Sequence, residues 1–138
     1  MFSGSCQCGA VRYESQADPM MGVHCHCTAC RKTGGTGHSS HLVAARDAVR
    51  VTGTVTEYER KADSGTAVTS AFCSKCGSPV YSRNAARPEL IMLRASSLDD
   101  PEIFKPSISV YTSRAPSWDH VDPALPGFAA MPPAAARS

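Results

Sequence analysis

The seven cysteines are the residues of this chain whose type and spacing could do chemistry, and they fall into three tight groups. Cys6 and Cys8 form a close pair near the start, and Cys73 and Cys76 form another in mid-chain. Thiolates are soft ligands that suit zinc, and a structural zinc ion favours four ligands in a tetrahedron. Two close pairs can supply that tetrahedron. We therefore predict a closed, structural zinc site on Cys6, Cys8, Cys73 and Cys76.

Both pairs are followed by glycine, and a tyrosine comes five residues after the second cysteine of each pair, at Tyr13 and Tyr81. The segment Cys73-Ser74-Lys75-Cys76-Gly77 has the form of a zinc knuckle, a turn in which backbone N–H groups point at the sulfurs. Cys6 and Cys8 would project from one face of an extended strand. The echo between the two pairs predicts two similar turns that face one metal ion.

The third group is Cys25-His26-Cys27-Thr28-Ala29-Cys30. Its three thiols can converge if the strand that carries Cys25 and Cys27 turns at Thr28 and brings Cys30 round. A zinc ion held by three protein ligands keeps a position open for water or substrate, which is typical of a catalytic site. We therefore predict that a catalytic zinc ion binds Cys25, Cys27 and Cys30, and that a substrate thiol takes the open position.

Two alternatives for this group stay open. Cys27 and Cys30 could be a redox pair, although a thioredoxin-like motif is expected in an alternating βα pattern that this sequence lacks. A histidine could be a fourth ligand and make the site structural. His24 and His26 are the weaker candidates, because on an extended strand they face away from Cys25 and Cys27. His38 and His41 are not excluded by this argument.

Arg31 and Lys32 follow the third thiol directly and precede a loop with three glycines at residues 33–37. Such a segment is ordinarily a solvated turn, but its place beside an open metal favours Arg31 as a group that steadies a substrate carboxylate. Arg31, His26, His38 and His41 are also the candidates for positioning or proton transfer, and the sequence does not rank them. Trp118, the only tryptophan, is predicted to be a packed anchor for the C-terminal segment.

Short segments rich in Val, Thr, Tyr and Ser, divided by Gly, Pro or charged residues, predict an all-β fold. No segment keeps a helical period over three turns, and one short helical turn is predicted at residues 45–48. The predicted strands are residues 10–15, 38–44, 49–60, 67–72, 79–82, 90–95 and 107–112.

The length of 138 residues predicts one domain, and no apolar run is long enough to span a membrane. We expect a zinc-binding domain over residues 1–118 and a Pro/Ala-rich extension over 119–138, frayed in its last residues from Met131 onward. The start of the chain has no basic, apolar leader, so we expect a cytoplasmic protein whose cysteines stay reduced.

The charge pattern argues against nucleic acid as a partner. The formal net charge is +2 with neutral cysteines, and seven bound thiolates with two Zn²⁺ ions would change it to −1. Only Arg31-Lys32 and Arg60-Lys61 are adjacent basic pairs, so no basic patch is predicted. We expect a small-molecule thiol as the partner, and neither nucleic acid nor a membrane.

Four segments together resemble the family of glutathione-dependent formaldehyde-activating enzymes, which includes centromere protein V. The match spans nearly the whole chain and keeps the order of the motifs. The segments are residues 4–11 (GSCQCGAV), 24–32 (HCHCTACRK), 72–77 (FCSKCG) and 113–118 (SRAPSW). The resemblance implies a β-tent fold with a structural zinc on Cys6, Cys8, Cys73 and Cys76 and a catalytic zinc on Cys25, Cys27 and Cys30.

The same resemblance implies an activity. The family's name reaction joins glutathione and formaldehyde as S-hydroxymethylglutathione, which is formally a carbon–sulfur lyase reaction run in reverse. The competing hypothesis is a non-enzymatic zinc module that binds a protein partner or buffers thiols and metal. A four-coordinate second site with no exchangeable ligand would favour that alternative.

Overall fold

The computed structural model describes residues 1–132, and these residues are mostly β-strand, as predicted. Residues 133–138, most of the predicted frayed tail, lie outside the described part. The described chain divides into two compact units, one formed by residues 1–20 and 42–104 and the other by residues 21–41 and the chain from Lys105 onward. The β-tent assignment and the boundary at residue 118 stay predictions.

The elements follow one another in short segments. The strands are β1 (Phe2–Ser5), β2 (Arg12–Ser15), β3 (Met21–Cys25), β4 (Ser39–Ala45), β5 (Val49–Thr52), β6 (Val55–Lys61), β7 (Ala67–Cys73), β8 (Pro79–Asn84), β9 (Leu90–Arg94) and β10 (Pro106–Val110). The helix α1 spans Thr28–Gly34, and 3-10 turns occupy Arg46–Ala48, Ala95–Ser97, Pro101–Ile103 and Thr112–Arg114. Within residues 1–132, no helix has the length and apolar character that crossing a bilayer needs.

The predicted strands all exist, with ends shifted by a few residues. The stretch predicted as one strand over residues 49–60 is two strands, because Gly53 adopts a φ of 97° that breaks the extended backbone between β5 and β6. The predicted turn over residues 45–48 is the 3-10 turn Arg46–Ala48. β1 and the helix α1 were not predicted. A strand through Cys25 and Cys27 was expected, and it exists as β3, which ends at Cys25.

The first unit contains two antiparallel arrangements of strands. β2 pairs with β1 on one side and β5 on the other, and strands β6, β7, β8 and β9 pair in sequence order. Its core includes Tyr13, Leu42, Val80 and Leu93, each of which is almost completely buried. Two of the cysteines, Cys6 and Cys73, lie in the same apolar core, whereas Cys8 and Cys76 are exposed. The first cysteine group therefore lies at the edge of the packed interior.

The second unit is built on β3 and β10, which pair in parallel. The pairing continues beyond β3, because the backbone N–H of His26 donates to the carbonyl of Val110 at 3.0 Å. A small apolar cluster packs here around Val110 and the three remaining cysteines, Cys25, Cys27 and Cys30, and includes Val23, Ala29, Ile108, Tyr111 and Phe128. The third cysteine group is therefore surrounded by apolar side chains.

Candidate metal centres

The first unit brings the two cysteine pairs together, as the sequence predicts. The four sulfurs of Cys6, Cys8, Cys73 and Cys76 all lie within 4.8 Å of one another. The Sγ of Cys8 is 3.6 Å from that of Cys6 and 3.8 Å from that of Cys73. A zinc ion with Zn–S bonds of about 2.3 Å separates its sulfurs by about 3.8 Å in a tetrahedron. The spacing of this four-thiol group therefore fits zinc.

Backbone N–H groups point at these sulfurs, which is the feature expected of a zinc knuckle. The Sγ of Cys73 accepts from the N–H groups of Lys75 and Cys76 at 3.3 and 3.4 Å, and the Sγ of Cys6 accepts from the N–H of Val11 at 3.2 Å. Hydrogen bonds of this kind stabilise sulfur in its thiolate form. Those to Cys73 confirm the predicted turn.

The echo between the two pairs also appears in the backbone. Gly9 and Gly77 have φ values of 80° and 78°, and each donates its N–H to the carbonyl of the first cysteine of its pair. Hydrogen bonds from the side chain and backbone of Ser78 lower the pKa of Cys76 to about 5. The two turns are therefore similarly closed, and the lowered pKa of Cys76 favours its thiolate form. The prediction that Cys6 and Cys8 lie on an extended strand is wrong, because β1 ends at Ser5 and the two cysteines lie in the turn that the hydrogen bond from Gly9 to Cys6 closes.

The second unit brings together the other three cysteines. Cys25, Cys27 and Cys30 are all buried, and their sulfurs lie within 4.8 Å of one another. Hydrogen bonding with Cys27 and Cys30, together with burial, raises the pKa of Cys25. Three adjacent thiolates in an apolar setting require a compensating positive charge. The donor set and its burial fit a soft divalent cation such as zinc.

Helix α1 brings the thiol of Cys30 close to those of Cys25 and Cys27. Cys27 is the N-cap of α1, and its sulfur accepts from the backbone N–H of Cys30 at 3.3 Å. The predicted turn at Thr28 is therefore the first turn of a helix, and the helix ends at Gly35, whose φ is 76°. The first two residues of the loop predicted over residues 33–37, Thr33 and Gly34, belong to α1.

The histidines do not complete the three-thiol group. Within residues 1–132, the set of mutually close ligand atoms around these sulfurs consists of the three cysteines. The Nε2 of His41 lies 3.5 Å from the Sγ of Cys30 and 2.9 Å from the Oγ of Ser39. The Nδ1 of His24 is 2.8 Å from the Oγ of Ser40. The group described is thus one ligand short of four.

Two other residues singled out in the sequence lie in the second unit. Arg31 is partly buried on α1, and its backbone N–H donates to the carbonyl of Cys27 at 2.9 Å. Trp118 was expected to be a packed anchor, but 68% of it is exposed. The prediction for Trp118 is wrong because a large apolar surface favours burial without requiring it.

Asp119, next to Trp118, is a site residue that sequence reasoning missed. Its carboxylate lies 2.6 Å from the Nδ1 of His26 and 2.9 Å from the Nδ1 of His38. These three side chains form a second close group of possible ligand atoms in the same unit. No local pattern pointed to Asp119, because 93 residues separate it from His26.

The strands and the two cysteine groups define a small all-β protein with two thiol clusters, each able to hold a metal ion. The model of the family described as "Glutathione-dependent formaldehyde-activating enzyme" matches residues 1–114. The chain belongs to this family, as its four motifs predicted.

Two known proteins are similar to this chain. A Halomonas elongata protein named after the same enzyme is 30% identical over 128 residues, which cover 88% of this chain and 82% of the relative. A crystal structure of a Rhodobacter sphaeroides protein matches with a TM-score of 0.57 at 20% identity, over 91% of this chain and 98% of that one. The second likeness supports the fold alone.

Proposed function

We propose that this protein joins a thiol to an aldehyde at the three-thiol group, with glutathione and formaldehyde as the substrates that its family name indicates. The product would be S-hydroxymethylglutathione, so the reaction is a carbon–sulfur lyase reaction run in reverse. The observation that carries this proposal is a buried group of three sulfurs, from Cys25, Cys27 and Cys30, without a fourth ligand from residues 1–132. A group of three leaves a position for substrate.

The two thiol groups take different roles in this proposal. The four-thiol group on Cys6, Cys8, Cys73 and Cys76 would hold a structural zinc ion, because four ligands close the coordination shell. The residues Cys25, Cys27 and Cys30 would hold a second, catalytic zinc ion. When bound there, zinc supplies a positive charge that favours the thiolate form of a substrate thiol. The reaction needs that form because the thiolate, not the thiol, is the nucleophile.

The protein's own residues would hold and orient the substrate. Arg31 directly follows Cys30 on α1 and is partly buried. Glutathione carries carboxylates, and a guanidinium group can bind a carboxylate through two parallel hydrogen bonds. We therefore assign Arg31 to substrate binding. The free thiols of all seven cysteines suit a reducing compartment, so we place the protein in the cytoplasm.

The test is to measure the reaction rate, because glutathione and formaldehyde also combine without a catalyst. Exchange NMR with ¹³C-formaldehyde gives the rate of adduct formation at equilibrium for the zinc-loaded protein. Acceleration above the uncatalysed exchange is expected for the native chain and not for Cys27→Ser, whose circular dichroism should stay native. An absent acceleration in the native chain, or unfolding of Cys27→Ser, would contradict the proposal and favour a non-enzymatic zinc module.

A matched pair of variants tests the role of Arg31. We expect Arg31→Ala to raise the glutathione concentration for half-maximal acceleration by about tenfold, the size of one charge-assisted contact of 1.5 kcal/mol. Lys32→Ala removes the neighbouring, exposed positive charge and should change it less than twofold. Equal increases in that glutathione concentration would show that the net positive charge, and not a specific contact of Arg31, binds the substrate.

A further inference from the structure

Asp119 is a buried carboxylate that links two histidines in the second unit. Its Oδ2 lies 2.6 Å from the Nδ1 of His26, and its Oδ1 lies 2.9 Å from the Nδ1 of His38. Only 4% of the Asp119 side chain and 1% of the His26 side chain are exposed. Both oxygens of the carboxylate are therefore engaged by imidazole groups, of which that of His26 is buried and that of His38 is 25% exposed.

The two histidines belong to the two chain segments that surround the three-thiol group. His26 stands between Cys25 and Cys27, and its backbone is held by Val110. His38 directly precedes β4, whose His41 lies 3.5 Å from the Sγ of Cys30. One carboxylate thus ties the segment that carries two of the sulfurs to the segment that contacts the third.

The position of Asp119 is built into the backbone around it. Its own N–H donates to the carbonyl of Pro116 at 3.0 Å, which closes a tight turn. Gly37, the residue before His38, lies so close that an added Cβ would overlap the Asp119 carboxylate group. Only glycine at position 37 therefore leaves room for the Asp119 carboxylate.

The two histidines beside Asp119 favour the ionised form of its carboxylate. Burial raises the pKa of Asp119, but its hydrogen bonds with His38 and His26 outweigh burial, and the net shift of the pKa is downward. An ionised carboxylate only accepts hydrogen bonds, so each histidine must donate from Nδ1. Asp119 therefore fixes the tautomer and the ring orientation of both histidines.

We infer that Asp119 is a positioning residue for the three-thiol metal site. By holding His26 and His38 it sets the spacing of Cys25, Cys27 and Cys30 before a metal ion binds. This inference rests on the proposed function only in that the three thiols bind zinc, and it does not depend on any substrate. Groups that hydrogen-bond a metal ligand directly typically contribute about 10–100-fold to metal affinity, and Asp119, which acts through two histidines that are not in the ligand group, should contribute at the lower end, about tenfold or less.

The test measures zinc release from the full-length, zinc-loaded chain to a colorimetric chelator. We expect a fast phase from the three-thiol group and a slow phase from the four-thiol group. Asp119→Ala should accelerate the fast phase by about three- to tenfold and leave the slow phase unchanged. Asp119→Asn should have a smaller effect, because the amide oxygen still accepts one hydrogen bond. The control is Asp18→Asn, which alters an exposed carboxylate of the first unit.

Cobalt substitution gives a second readout that a change in stability alone would not move. The sulfur-to-cobalt absorption bands of the three-thiol group should shift in Asp119→Ala and stay unchanged in Asp18→Asn. If Asp119→Ala cannot be isolated in a folded state, Asp119→Asn carries the same comparison. Neither measurement uses glutathione or formaldehyde, so a failure of this inference can be told apart from a failure of the proposed enzyme activity.

Three results would overturn the inference. The fast phase could stay within twofold of the native rate in both Asp119 variants. Both phases could accelerate equally, which would make Asp119 a determinant of the whole fold. Finally, elemental analysis of the native chain could find a third zinc ion that Asp119→Ala lacks, which would make Asp119, His26 and His38 a metal site in their own right.

Discussion

Replacement of Cys8 by serine should remove one ligand from the four-thiol group without disturbing the core. Cys8 is exposed, whereas Cys6 and Cys73 are buried among apolar side chains. Loss of packing would therefore complicate any result at Cys6 or Cys73, and Cys8→Ser avoids that complication. The sulfur of Cys8 lies 3.8 Å from that of Cys73, which is 65 residues away.

The magnitude follows from the loop that the metal closes. A cross-link across about 65 residues lowers the entropy of the unfolded chain by an amount worth about 4 kcal/mol at 25 °C, on the chain-entropy relation used for disulfides. For a chain of 138 residues this free energy corresponds to a fall in Tm of about 10–20 °C. The estimate treats the zinc link as fully lost in the variant.

The assay is thermal unfolding of the zinc-loaded protein, followed by circular dichroism with and without a strong chelator. The chelator should lower the Tm of the native chain strongly and that of Cys8→Ser little, because the variant has already lost the link. Gln7→Ala, an exposed substitution in the same turn, is the control. A Tm for Cys8→Ser within about 2 °C of the native value would refute the reasoning, as would an equal chelator effect on both proteins.

Three further predictions concern single residues. Cys27→Ser should be about 1 kcal/mol more stable to urea than Cys27→Ala, because serine still caps the N-terminus of α1; equal urea midpoints would show that the cap contributes nothing. Gly53→Ala should lower the free energy of unfolding by more than Gly65→Ala, since both glycines have positive φ but an added Cβ meets neighbouring backbone only at Gly53; equal losses would exclude the overlap. Burial raises the pKa of Tyr13 to about 12, so the unfolded state loses its proton first and stability should fall by about 2 kcal/mol as the pH rises from 10 to 12. Tyr13→Phe should remove most of that decline, and an unchanged decline would place its origin elsewhere.

The features that the sequence predicts best depend on short-range patterns. Close cysteine pairs with glycine beside them predict the two metal-binding turns, because the ligands and the turn residue lie within a few positions of one another. Short segments rich in Val, Thr, Tyr and Ser between Gly, Pro or charged residues likewise predict most strands. The grouping of Cys6 and Cys8 with Cys73 and Cys76 spans a long distance in sequence, yet it follows from the ligand count of zinc.

Features that depend on distant contacts were missed. Asp119 meets His26 across 93 residues, and nothing in the residues around either one indicates the pairing. Helix α1 has only seven residues, too few for a helical period, and its N-cap is a cysteine and not one of the usual polar residues. Its end did carry a signal, because Arg31 and Lys32 precede the pair Gly34-Gly35.

The most direct test of the central claim is the zinc content of the purified, reduced chain before and after treatment with a mild chelator. We expect two zinc ions per chain, of which one is removed without unfolding. That result would match a closed four-thiol site and an open three-thiol site. A single, tightly held zinc ion would leave Cys25, Cys27 and Cys30 without metal and would contradict the assignment of a catalytic zinc site.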